Sequence, residues 1–154
     1  TTMKNKHQAK GPVKSVVKEK SCGVILYRIE EGIRQYLLLH YPSGHWDFPK
    51  GHVEDIDEHE MATAQRELEE ETGIEDIDFI EGYREPMYYE FRRGKKQLVK
   101  KVVVYFLAET KEKDVKISFE HKDFLWLPYQ EAFDKLTFDN AKGLIEKGEK
   151  HLLE

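Results

Sequence analysis

Apolar positions crowd into two early runs, 21–28 and 33–40, separated by a polar turn at 30–32. Two near-continuous runs joined so closely predict a hairpin lying centrally in a sheet covered on both faces. The next patterned stretch has a different period. Met61, Ala64 and Leu68 recur at helical spacing, and Gly73 stands where a left-handed residue ends a helix. Asp57 is the expected N-cap, with Glu60 three residues on completing a capping box and Ile56 against Met61 as a hydrophobic staple.

Beyond Gly73, residues 77–80 and 83–91 read as strands. Alternation places Tyr83, Glu85, Met87, Tyr89 and Phe91 on one face and Tyr88 on the other. A charged tip at 92–96 turns the chain into a further strand, 97–109. Short strands are expected at 116–119 and 124–127. Pro128 then opens a short helix ending near Leu136, and Ala141, Leu144, Ile145 and Leu152 mark one face of a closing helix. Upstream, 13–17 reads as a short strand behind a loose, lysine-rich tail, 1–12. Strands interleaved with helices in this way predict an α/β sandwich with a mixed sheet, one domain over 13–154.

Composition narrows the picture. A chain of 154 residues with 39% hydrophobic content suits a single core. Its net charge of −5 argues against general nucleic-acid binding. The lone cysteine, Cys22, excludes an internal disulfide framework, and there is no membrane-length apolar run or secretory pattern. A cytoplasmic setting is the expectation. Trp46, in the loop 41–47, is expected to wall a pocket beside the helix rather than to cover the core.

The helix carries the chemistry. Glu67, Glu70 and Glu71 fall within ~100° of one another on one face. Like charges at that spacing repel by a few tenths of a kcal/mol per pair, and they crowd the helix end that disfavours anions. A divalent cation bound through oxygen would reverse that penalty. The residues 66–74, Arg-Glu-Leu-Glu-Glu-Glu-Thr-Gly-Ile, match the R-E-U-x-E-E-x-G-U half of the Nudix box, where U is apolar. Seven residues separate Glu58 from Arg66 as the box requires, and Gly51 supplies its first glycine. Six residues separate Gly51 from Glu58 where the pattern has five, so an insertion is placed in the loop 54–57. The chain resembles a Nudix hydrolase.

That resemblance implies an α/β/α sandwich and attack of water on phosphorus in a nucleoside diphosphate linked to another moiety. The metal, Mg²⁺ or Mn²⁺, is expected on Glu67, Glu70 and Glu71, with the Lys50 carbonyl completing the shell. Arg66 would fix the rotamer of Glu70, and Glu58 would stabilise the loop and first turn. Further blocks, His45–Val53, Glu81-Gly82-Tyr83, 103–108 and Phe119-Glu120-His121, resemble the asymmetric diadenosine tetraphosphate hydrolases. In their pattern Glu120 sits in the S-H-E-H segment as a fourth carboxylate and candidate base, alongside Glu67 and Glu71. Tyr89 and Phe138 match positions that sandwich an adenine, and Tyr41, His45, Lys50 and Lys101 match positions that contact the phosphate chain. Ordinary core packing is an equal reading for Tyr89 and Phe138. The implied reaction is diadenosine tetraphosphate plus water to ATP plus AMP. The alternatives are pyrophosphate removal from RNA 5′ ends, which the basic tip 92–96 would support, and an inactive Nudix-fold nucleotide sensor. Oligomeric state is left open.

Overall fold

The computed structural model describes residues 11–154. Most of the expected tail therefore lies outside the described residues. Seven strands and three helices follow: β1 (Ser15–Glu30), β2 (Ile33–His40), β3 (Trp46–Asp47), β4 (Lys50–His52), α1 (Glu60–Thr72), β5 (Ile77–Arg93), β6 (Gln97–Thr110), β7 (Asp123–Pro128), α2 (Tyr129–Lys135) and α3 (Asp139–Leu153).

The sheet is mixed and centred on β1, in the order β3-β2-β1-β6-β5, with β4 added to β1 and β7 to β2. β1 and β6 run parallel, and every other pairing is antiparallel. Along its other edge β1 changes partner. Ser21–Gly23 pairs with β4, and Tyr27–Glu30 pairs with β2. The strand divides where the chain must open to admit a site. The expected hairpin turn is present, with Glu31 and Gly32 both at positive φ, as the tightest hairpins require.

Alternation along β1 builds two cores. Ile25 and Tyr27 join Tyr36, Tyr105 and Leu107 under Leu136, Leu144 and Ile145 from α2 and α3. Val24 and Leu26 face the other way, onto Ala64 and Leu68 of α1. The result is a three-layer α/β/α arrangement. Leu68 is fully buried, which stabilises the docking of α1 by about 2–3 kcal/mol.

Several expectations are corrected. The segments at 13–17 and 21–28 are one strand, because β6 supplies a parallel partner for Ser15–Tyr27. Those at 77–80 and 83–91 also merge, with a register shift between Phe79 and Arg84. Residues 116–119 form no strand. Their backbone instead runs along the end of α1, where the Lys116 and Ser118 amides donate to the Thr72 and Glu71 carbonyls. Helix-terminal carbonyls left without internal partners are satisfied this way. Trp46, expected to wall a pocket, instead packs against the core, stacked on His40 with Lys135 across its ring, and it is not among the residues lining the acidic cleft. Among the described residues, no helix is long and apolar enough to cross a membrane.

Candidate active site

α1 begins two residues later than its sequence suggests. The cap is His59, whose Nδ1 accepts from the Ala62 amide. Asp57 is committed elsewhere, and Ile56, at 79% exposure, staples nothing. Glu60 does not reach back. It pairs instead with Arg84, through two hydrogen bonds, and with Lys20. At the other end, Gly73 has the left-handed φ of 77° expected of it, and its amide closes on Glu69.

Asp57 is the anchor of the loop. Its carboxylate accepts from Arg66 Nε and Nη2 at 2.9 Å each, from the Thr63 hydroxyl at 2.8 Å and from the Glu54 amide at 2.8 Å. Only 3% of its side chain is exposed. The Arg66 guanidinium holds this carboxyl well below the usual carboxylate range. Five residues lie between Gly51 and Asp57, which is the spacing of the box. The one-residue insertion thus falls after Asp57, immediately ahead of the helix, and not within 54–57. Glu58, assigned the stabilising role from its distance to Arg66, is exposed, and Asp57 takes that role.

Arg66 reaches further than Glu70. It donates to Glu67 at 2.9 Å, Glu70 at 3.2 Å and the His52 carbonyl at 2.9 Å, and pairs with Glu54 at 3.0 Å. One guanidinium thus ties the loop to the acidic face of α1. Glu67 points directly at β4. A Cβ on Gly51 would lie 1.9 Å from its carboxyl carbon, so glycine is what makes room for the carboxylate. Burial raises the affinity of Glu67 for a proton, and Arg66 works against that rise.

Glu71 is the most enclosed of the three. His121 Nε2 lies 3.3 Å from its Oε1, while Oε2 is buried with no partner. Desolvation pushes its pKa up and His121 opposes the rise. His121 itself is wedged edge-on against the Tyr41 ring, at 4.6 Å between centroids, and its Nδ1 meets the Ser118 hydroxyl at 3.1 Å. Sequence reasoning assigned His121 no task. Its only signal was its place beside Glu120.

These carboxylates line a cleft of about 610 Å³, together with Ser21, Lys50, Lys101, Phe119 and Glu120. Glu70 and Glu120 are exposed at its rim. Lys101 is half-buried, and burial, then the nearby Lys50 charge, lowers its pKa. Among the described residues, no three carboxylate or imidazole side chains converge into a ready-made metal cage. Glu67 is turned to Arg66 and Glu71 to His121. Even so, an unpartnered buried carboxylate oxygen beside two further carboxylates is an all-oxygen donor set, which suits a hard divalent cation.

A second hollow, of about 370 Å³, adjoins the first through Lys50. His45, Asp47, Met87, Tyr89, Phe138, Asn140 and Ala141 line it. Tyr89 arrives from β5 in register with Lys101 of β6, and Phe138 is the residue preceding α3. His45 lies 5.2 Å from the Phe138 ring and stacks on Tyr41 at 4.7 Å. Tyr41 is turned inward. Its hydroxyl donates to the Phe48 carbonyl at 2.6 Å, and Lys50 Nζ lies 5.3 Å above its ring. Of the positions expected to contact substrate, His45, Lys50, Tyr89, Lys101 and Phe138 border the two hollows, and Tyr41 packs against His45 and Lys50.

The NUDIX domain model matches residues 18–147. The chain belongs to the NUDIX family. It is 37% identical over 145 residues to the asymmetrical bis(5′-nucleosyl)-tetraphosphatase of Rattus norvegicus, spanning 86% of this chain and 95% of that protein. A crystal structure of a C. elegans Ap4A hydrolase binary complex superposes with a TM-score of 0.77 at 32% identity, covering 88% of this NUDIX chain and 98% of the other. An RNA pyrophosphohydrolase of a Nitratiruptor species is 31% identical over 105 residues, 60% of this chain and 64% of that protein. Hydrolases of the NUDIX family generally use divalent metals.

Proposed function

We propose that this NUDIX protein hydrolyses diadenosine tetraphosphate asymmetrically to ATP and AMP, with Mg²⁺ or Mn²⁺ held by Glu67, Glu70, Glu71 and Glu120 and the Lys50 carbonyl. The observation that carries this reading is the junction at Lys50. There an acidic cleft suited to metal and polyphosphate meets an aromatic hollow suited to a base. The names of the relatives at 34–37% identity support it.

The bound metal would supply charge neutralisation and polarisation of phosphoryl oxygens. Tyr89 and Phe138 hold one adenine, and ring stacking sets its plane. Lys50 and Lys101 draw in the phosphates and His45 borders their path. These contacts place the reacting phosphorus in line with a water near the carboxylates. The water oxygen forms a new bond to phosphorus, and the bridge between the first and second phosphates breaks with its electron pair on the bridging oxygen. Glu67, Glu71 or Glu120 takes the proton from the water. Arg66 orients Glu67 and Glu70 without touching substrate.

The RNA reading draws on a relative matched over less of the chain, at 31% identity across 60% of it. Its basic tip is partly spent within the protein, since Arg93 pairs with Glu19 and Arg92 donates to the Gly11 and Lys95 carbonyls. A sensor would keep the site without needing a complete set of box glutamates, which this chain has. A buried free thiol at Cys22 fits a reducing, cytoplasmic setting.

The test is incubation with Mg²⁺ and, in parallel, diadenosine tetraphosphate or triphosphorylated short RNA, followed by chromatography. Release of ATP and AMP from the dinucleotide is expected. Inertness toward it, with turnover of the RNA, would overturn the assignment.

A further inference from the structure

Metal and phosphate account for the charged lining of the acidic cleft and leave part of its rim unexplained. Phe119 stands there with 97% of its surface exposed, the most exposed large hydrophobic side chain among the described residues. Scattered apolar residues on a surface need no explanation. Phe119 differs because its neighbours are pinned and it is not. The Ser118 amide donates to the Glu71 carbonyl at 3.0 Å, and the His121 amide to the Ser118 carbonyl at 3.1 Å. The Lys122 amide reaches the His40 carbonyl at 2.8 Å, and the His121 side chain is locked between Glu71 and Tyr41. Loop residues on both sides are therefore drawn inward, leaving one apolar ring on a cleft otherwise lined by glycine and by polar or charged side chains, His52 among them.

The division of chemistry between hollow and cleft gives this ring a task. Tyr89, Phe138 and His45 line an aromatic hollow, Lys50 is common to the hollow and the cleft, and the carboxylates and Phe119 line the cleft alone. A ligand with a base, a chain of phosphates and a second base has the same parts. The second base needs only a flat apolar partner, since every base has a π-face and stacking tolerates any of them. This chain also carries Phe at 119 where the S-H-E-H pattern has His, which exchanges a titratable ring for an apolar one.

We propose that Phe119 is the stacking platform for the second nucleoside of a dinucleoside polyphosphate, at an end where the identity of the base is not read. The inference rests on the proposed dinucleotide hydrolase reading.

The experiment compares diadenosine tetraphosphate with adenosine tetraphosphate, which has the same phosphates and one nucleoside, on wild type, Phe119→Ala and Phe119→Trp. Base–aromatic stacking supports an increase in KM for the dinucleotide of about fivefold or more in Phe119→Ala. The kcat should change little, KM for adenosine tetraphosphate should stay constant, and Phe119→Trp should restore the dinucleotide KM. A KM that does not move, or that moves equally for both substrates, overturns the platform. Equal wild-type KM values for the two substrates overturn it as well. A wild-type protein that cleaves neither substrate refutes the hydrolase reading instead, so the two failures are distinct.

Discussion

Gly51→Ala separates the placement of a carboxylate from the stability of the fold. The added Cβ would lie 1.9 Å from the Glu67 carboxyl carbon and 2.0 and 2.4 Å from its oxygens. Non-bonded carbons rest about 3.5–4.0 Å apart, so the carboxylate must retreat by roughly 2 Å. It can do so, because the three atoms nearest the added Cβ all belong to the end of one flexible side chain. Stability should therefore stay within about 0.5 kcal/mol of wild type. Catalysis should not, since a misplacement of about 1 Å costs on the order of a hundredfold, or ~2.7 kcal/mol of transition-state stabilisation. The assay is kcat on diadenosine tetraphosphate at saturating Mg²⁺, with Tm measured on the same preparation. If Glu67 is the group displaced, Gly51→Ala combined with Glu67→Gln should be no slower than Glu67→Gln alone. A Gly51→Ala enzyme within twofold of wild-type kcat, or a double variant with additive losses, would refute the reasoning.

Two further outcomes are expected. His121→Phe keeps the edge contact with Tyr41 but removes the donor to Glu71; Mn²⁺ affinity by calorimetry should weaken ~10–100-fold, and His121→Gln should recover part of it. An unchanged Mn²⁺ affinity in His121→Phe would show that Glu71 needs no holder. Glu60 tests the pH dependence of stability: Arg84 first, against desolvation and with help from Lys20, lowers its pKa from 4.5 to about 2. A depressed folded pKa stabilises the fold above the unfolded value and loses that contribution as pH falls. Between pH 4.5 and about 2, Tm should thus drop more steeply in wild type than in Glu60→Gln, and parallel curves would remove Glu60 from the acid response.

The acidic face of α1 was legible because helical periodicity alone brings Glu67, Glu70 and Glu71 together. Gly73 and the 30–32 turn were legible because backbone conformation there depends on local residue type. What failed was competition between partners. Asp57 is a good cap by sequence, but Arg66, Thr63 and the Glu54 amide outbid the helix terminus for its oxygens, so His59 became the cap. The same error misplaced the insertion. Counting back from Arg66 selected Glu58, and counting forward from Gly51 reaches Asp57. Residues 116–119 alternate like a strand, yet the open carbonyls at the end of α1 decide their path. The partners of Glu71 were hidden because His121 is fifty residues away in sequence and its burial is set by Tyr41 and the loop.

The parallel register of β1 with β6 also dictates an order of assembly. Ser15–Tyr27 pairs residue by residue with Gln97–Glu109, about eighty positions further along. Contacts that distant must close a long loop before any ladder bond is gained, and such pairings form slowly. β5 and β6 face no such delay, because a short tip joins them. On the ribosome, then, the central strand is synthesised well before the partner that completes it. Until β6 emerges, the apolar run at its heart has only β2 and β4 beside it and an open edge on the other flank. That edge is where nascent chains of this protein are most exposed to mispairing with one another.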